Sequence, residues 1–137
     1  MSSVTAEEIL INYVIYKIIV IDGSEPLQLL VFVKEPINSP ASASDNNIKK
    51  MWKAEKGDVS QISMDEYRNI KKRINEQELH GSIHTFGFLD MDVQGGTATL
   101  EVDNVYGPLA GAGFRYTLEA DKGKWMVVGQ PSQTWIS

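Results

Sequence analysis

Along this chain the spacing of apolar residues changes character at Ser82. Before that point apolar residues recur at helical intervals or run together, and after it they alternate with polar ones at a period of two. The first element is marked by its cap. Thr5-Ala6-Glu7-Glu8 is a capping box, in which the Thr5 hydroxyl accepts from the amide three residues on and Glu8 reaches back, with Val4 and Ile9 at the staple positions. Ile9, Tyr13, Tyr16 and Val20 follow at helical spacing and predict a helix from about Ala6 to Ile19. The β-branched run Ile18-Ile19-Val20-Ile21 also reads as extended chain. Asp22-Gly23-Ser24-Glu25-Pro26 is a turn, and Leu27 to Val33, apolar except for Gln28, has the pattern of a strand buried on both faces. Residues 36–47 are small, polar and proline-containing, hence a loop. Ile48, Met51 and Trp52, at i, i+3 and i+4, predict a short helix from about Asn47 to Lys56. A second capping box, Ser63-Met64-Asp65-Glu66 with Ile62 and Tyr67 as staple, opens a helix to about Asn75 that turns Tyr67, Ile70 and Ile74 inward.

In the alternating half, Gly95-Gly96 reads as a two-residue hairpin turn that sets Gln94 opposite Thr97. Leu89, Met91 and Val93 then face Val102, Leu100 and Ala98. The other face carries Asp90, Asp92, Thr97, Thr99, Glu101 and Asp103, with Asp90 opposite Glu101. The alternation changes phase between Phe88 and Leu89, which predicts a β-bulge. A second hairpin at Asp121-Lys122 pairs Leu118 with Trp125, Tyr116 with Val127, and Glu119 with Lys124 as an exposed ion pair. The glycine-rich stretch Gly107 to Gly113 connects the two hairpins. The fold class that follows is α+β: one domain over residues 1–137, with N-terminal helices packed on a curved antiparallel sheet that ends in a C-terminal β-meander.

Composition narrows this little. With 137 residues, 42% hydrophobic and 23% charged, the chain is long and apolar enough to bury one core. The absence of cysteine removes disulfides, thiolate nucleophiles and cysteine-ligated zinc. A net charge of −5 sets the chain against nucleic acid, whose phosphates demand a basic surface. The one basic cluster, Arg68, Lys71, Lys72 and Arg73, has acids on both sides and reads as a solvated helix face. The first residues are acidic, and the apolar run Ile9 to Ile21 contains Asn12 and Lys17 and is too short to span a bilayer. A cytoplasmic protein with no membrane partner is therefore expected.

Candidate chemistry is sparse. Gly113 leads into the alternating strand Phe114 to Leu118, so the glycines do not form a phosphate loop at a helix start. Asp90 opposite Glu101 calls for compensation by hydration, by Arg115 from the neighbouring strand, or by a divalent cation. His84 shares parity with Phe86, Phe88 and the acids, and with Asp90 or Asp103 it forms the one His–carboxylate pair on offer. His84, Phe86, Asp90, Asp103 and Arg115 are thus the candidate pocket residues. No serine sits in a nucleophile elbow, and neither a cofactor nor a metal is expected. The aromatic residues read mainly as core, although a concave sheet closed by helices can leave a cavity for a small-molecule ligand.

Tyr106-Gly107-Pro108-Leu109-Ala110-Gly111, Phe114-x-Tyr116-x-Leu118, Gly123-Lys124-Trp125-x-Val127-Val128 and the closing Trp135-Ile136-Ser137 resemble a family of small uncharacterised bacterial proteins. The element order is also similar to the nuclear-transport-factor-like (cystatin-like) α+β fold, which implies a curved sheet but no particular activity. The leading functional expectation is a non-enzymatic binding or protein-interaction domain. It would act alone or as a homodimer through the sheet face that carries Met126 and Val128. A small-molecule-binding or hydrolase/isomerase-like pocket built on His84 is the first alternative. An acidic inhibitor or immunity-type partner of a basic protein, resting on charge alone, is the second.

Overall fold

The computed structural model describes residues 5–20, 26–36, 44–107 and 110–136. Val4, residues 22–25 of the first turn, most of the 36–47 loop and the Pro108-Leu109 connection lie outside them. Seven strands form one open sheet in the order β3-β2-β1-β4-β5-β6-β7. They are β1 (Leu27–Val33), β2 (Ile48–Glu55), β3 (Asp58–Gln61), β4 (Ser82–Asp92), β5 (Thr97–Gly107), β6 (Ala110–Asp121) and β7 (Lys124–Ile136). Every neighbouring pair is antiparallel except β1 and β4, which run parallel.

Helix α1 (Ala6–Tyr13) begins as its cap predicts: the Thr5 hydroxyl accepts from the Glu8 amide at 3.1 Å. It continues without a break as a π-helix over Val14–Ile19. The buried residues explain the change of winding. Leu10, Val14 and Ile18 form one row and Ile11, Ile15 and Ile19 another, each at intervals of four. An α-helix overshoots a full turn by about 40° at every such step, so the wider π turn keeps both rows against the sheet. The stripe read from the sequence is not the one that is buried. Of its members, Ile9 and Tyr16 stand exposed.

Strand β1 is buried at all seven positions, as expected of its apolar run. Leu30 and Phe32 pack towards α1, and Leu27, Leu29, Val31 and Val33 pack towards α2 (Met64–Asn75) on the opposite face. Ser63 caps α2 by accepting from the Glu66 amide at 3.2 Å, and Ile62, Tyr67 and Ile70 are buried beneath it.

The short helix expected at Asn47 to Lys56 is instead β2. A strand covered on both faces loses its period of two. Met51 serves the α2 side and Trp52 and Ala54 the α1 side, while a register shift beside Ile48 breaks the count. The turn that returns the chain to β3 is Lys56-Gly57, with φ of 53° and 87°, the two positive values of a type I′ hairpin.

Both hairpin registers of the C-terminal meander also differ from expectation. Asp92 pairs with Thr97, so four residues rather than two close the first turn, and the Asp92 carboxylate accepts from the Gly95 amide at 2.9 Å. That bond makes Asp92 the last ladder residue. The bulge does fall where the phase changes, with Leu89 between the Phe88–Leu100 and Asp90–Thr99 pairs. In the second hairpin the turn is Lys122-Gly123 (φ 53° and 79°), again type I′, which pairs Leu118 with Val127 and Glu119 with Met126. The expected Glu119–Lys124 pair is therefore replaced across the ladder by Asp121 opposite Lys124. Each register moves by two residues, so each strand near its turn keeps its faces.

Candidate functional site

The bulge at Leu89 decides what surrounds His84. Because it adds a residue to β4, His84, Phe86 and Phe88 sit opposite Asn104, Val102 and Leu100, on the apolar face under α1. Asp90, Glu101 and Asp103 lie on the other face. The five candidate residues therefore do not form one site: His84 and Phe86 are separated by the sheet from Asp90, Asp103 and Arg115. The Asp90–Glu101 juxtaposition also disappears, since Asp90 faces Thr99 and Glu101 faces Gly87 on one side and Arg115 on the other.

On the α1 face a cavity of about 210 Å3 remains between helix and sheet. Ile18 and Ile19, on the π-wound turn, form its roof. Val102, Phe114 and Tyr116 line the sheet side, with His84 and Asn104 at its polar end. π turns recur at functional sites because they sacrifice helical regularity for placement of side chains.

His84 is only 5% exposed and both ring nitrogens are engaged. Its Nδ1 lies 2.5 Å from the Asn104 side-chain oxygen and its Nε2 lies 2.8 Å from the Ser82 hydroxyl. With an acceptor facing Nδ1, the proton sits on Nδ1 and the Ser82 hydroxyl donates to Nε2. Burial pushes the His84 pKa below its ordinary value, against the opposing pull of the Asn104 hydrogen bond, and so favours the neutral ring. The order hydroxyl, imidazole, amide matches a nucleophile–base–orienter relay. Ser82, however, is 3% exposed and outside the cavity lining, so its hydroxyl serves the buried network. Next to Ser82 on β1, the buried Gln28 has an amide nitrogen with no hydrogen-bond partner among the described residues.

On the opposite face, beyond α2, lies a polar cluster that no described helix covers. Glu101 is only 6% exposed and accepts from Arg115 Nη2 at 2.5 Å and Nε at 3.1 Å. Of the compensations considered for these acids, Arg115 is the one in place at Glu101. Trp135 on β7 folds its indole over Gly113, its partner in the ladder, and donates through Nε1 to Asp103 on β5 at 2.8 Å. A Cβ at position 113 would collide with that ring, which accounts for glycine there. Burial raises the Asp103 pKa, the Trp135 hydrogen bond opposes the shift, and repulsion from Glu101 adds to it.

Elsewhere the basic helix face is ion-paired at its surface, Arg68 to Asp45 at 2.7 Å and Arg73 to Glu78 at 3.8 Å. Among the described residues no group of three or more acids and histidines gathers in metal-binding geometry. No described helix is long and apolar enough to cross a membrane.

Sequence reasoning missed Ser82 and Asn104. The signal for Asn104 was present: it follows Ala98, Leu100 and Val102 on the inward face, a polar side chain where the pattern demands an apolar one. Comparison with protein-family models, with curated proteins and with solved structures finds no match for this chain.

Proposed function

We propose that the protein is a non-enzymatic binding domain whose ligand is a small molecule held between α1 and the sheet. The observation that carries this reading is the cavity itself. It is lined by Ile18, Ile19, Val102 and the rings of Phe114 and Tyr116, with His84 and Asn104 hydrogen-bonded to each other at its polar end, a mix of apolar wall and placed polar groups that suits a ligand pocket. The likeness of the element order to nuclear-transport-factor-like domains supports it by analogy, since a helix closing a curved sheet leaves such a space. An acid–base enzyme using His84 with Asp90 or Asp103 is disfavoured because the sheet lies between them. The test is a fragment screen read by amide NMR shifts, repeated on Phe114→Trp, which fills the cavity. Ligands are expected to shift Ile18, Ile19 and Val102 in the parent and not in the variant. A screen in which no fragment touches those residues would sink the proposal.

A second reading, association through the outer face of β6 and β7 as a homodimer or with another protein, is favoured by Met126 and Val128. They are 48% and 39% exposed at the end of the sheet face that α2 covers only over β1 and β2 among the described residues. Sedimentation showing only monomer at high concentration would remove its homodimer form.

A further inference from the structure

The cavity restricts what can occupy it, and this step rests on the binding reading above. We propose that its ligand is an uncharged planar ring bearing a carbonyl-type acceptor, bound through the Asn104 amide nitrogen. Among the described residues that line it, none is an aspartate, glutamate, lysine or arginine. An ionic ligand would leave its hydration behind without a counter-charge, a cost that amounts to several kcal/mol in comparable burials. His84 supplies no charge either, because the neutral ring is the favoured form and its nitrogens already face Asn104 and Ser82.

Asn104 differs from its neighbour. Its oxygen is taken by His84, whereas its amide nitrogen makes no hydrogen bond among the described residues, and the residue is half-buried at the cavity wall. Two N–H donors with no acceptor select a ligand oxygen or unprotonated ring nitrogen. Phe114 and Tyr116 on the sheet and Ile18 and Ile19 above bound a space suited to a flat ring. A volume of about 210 Å3 exceeds the roughly 150 Å3 that accommodates benzene, which leaves room for a ring with one small substituent.

Benzamide, benzoate and toluene share the ring and differ only in this chemistry. Each is titrated into the 15N-labelled full chain at neutral pH, with amide shifts of Ile18, Ile19, Val102 and Asn104 as the readout. Benzamide is expected to bind about tenfold more tightly than either of the others, the factor one hydrogen bond supplies. Benzoate binding as tightly as benzamide would overturn the uncharged class while leaving the pocket intact. Toluene binding as tightly would overturn the acceptor requirement. No shift with any of the three would overturn both this proposal and the pocket beneath it. In Asn104→Leu the benzamide advantage over toluene is expected to vanish, and its survival would remove Asn104 from the recognition. Asn104→Ala, which also carries no side-chain donor, gives the same readout should the leucine variant fail to fold, and the wild-type panel decides the ligand class without either.

Discussion

Strands β1 and β7 belong to one sheet and live in different worlds. The seven residues of β1 are buried without exception between two helices, and β7, almost twice as long, has no fully buried residue among those described. The difference comes from position. β1 sits under α1 on one face and α2 on the other, whereas β7 is the open edge, beyond the reach of α2. Its edge is also broken: Gly129 takes φ of 71° and Pro131, with no amide hydrogen, follows two residues on. Both devices discourage pairing with another strand along the whole length. The covered half of the sheet thus holds the molecule together, and the half-covered side carries polar groups that the core could not accept unpaired.

That contrast can be tested by substitution. The largest loss is expected in the covered half, where Phe86 is fully buried and stacked near Phe32 and Trp52 at 5.2 and 6.0 Å between centroids. Phe86→Ala should cost about 3–5 kcal/mol in urea unfolding, and a loss below 1 would mean the core is not centred there. On the open side Arg115→Ala leaves the buried Glu101 carboxylate without its cation. A cost of about 2–3 kcal/mol is expected, reduced from that of a fully buried pair because Arg115 is itself half exposed. Gly113→Ala should displace the Trp135 indole and cost about 1–2 kcal/mol, with tryptophan fluorescence shifting to the red as the ring meets water.

The next effect depends on pH. His84 has a folded pKa below its unfolded value of about 6.5, so the unfolded chain binds the extra proton and stability rises with pH through that window. Urea midpoints should hold steady above about pH 7 and fall as the pH drops below about 6.5. In His84→Gln that slope should be gone. Asp103 works in the opposite sense at lower pH: its raised folded pKa favours the folded state as the carboxyl takes up its proton. The smallest effect is expected at Met126→Ser, within about 0.5 kcal/mol. A larger loss that grows with protein concentration would signal an interface on that face.

How much of this was legible depends on whether the deciding force was local. Both helix starts were readable because a capping hydroxyl and the amide three residues on are neighbours in sequence. The β1 strand was readable because continuous burial needs continuous apolar residues. Strands β2 and β3 were not, since Met51 and Trp52 serve opposite faces and Lys56-Gly57 does not announce a hairpin as Asn-Gly does. The registers slipped by two because the turn-closing residue, Asp92 or Asp121, is chosen by side-chain bonding and glycine placement. For the candidate site the cost was larger. Of the five candidates only His84 lines the cavity, Phe86 is core packing beside it, and one bulge residue sets both across the sheet from Asp90, Asp103 and Arg115. No parity argument that ignores the bulge recovers Asn104 as the partner of His84.

The parallel seam between β1 and β4 has a kinetic consequence. The meander β4 to β7 is stitched by hairpins whose partners lie close in sequence, so it can form by short loop closures. Val31 meets Thr85 only after a detour through β2, β3 and α2. Chains dominated by such distant pairings fold slowly, because the entropy of closure is spent before the contacts return it. Joining the two halves is therefore the step expected to set the folding rate. Because α1 packs across Phe32 and Phe86 from both sides of that seam, the cavity around His84 should come into existence only with the last step of folding.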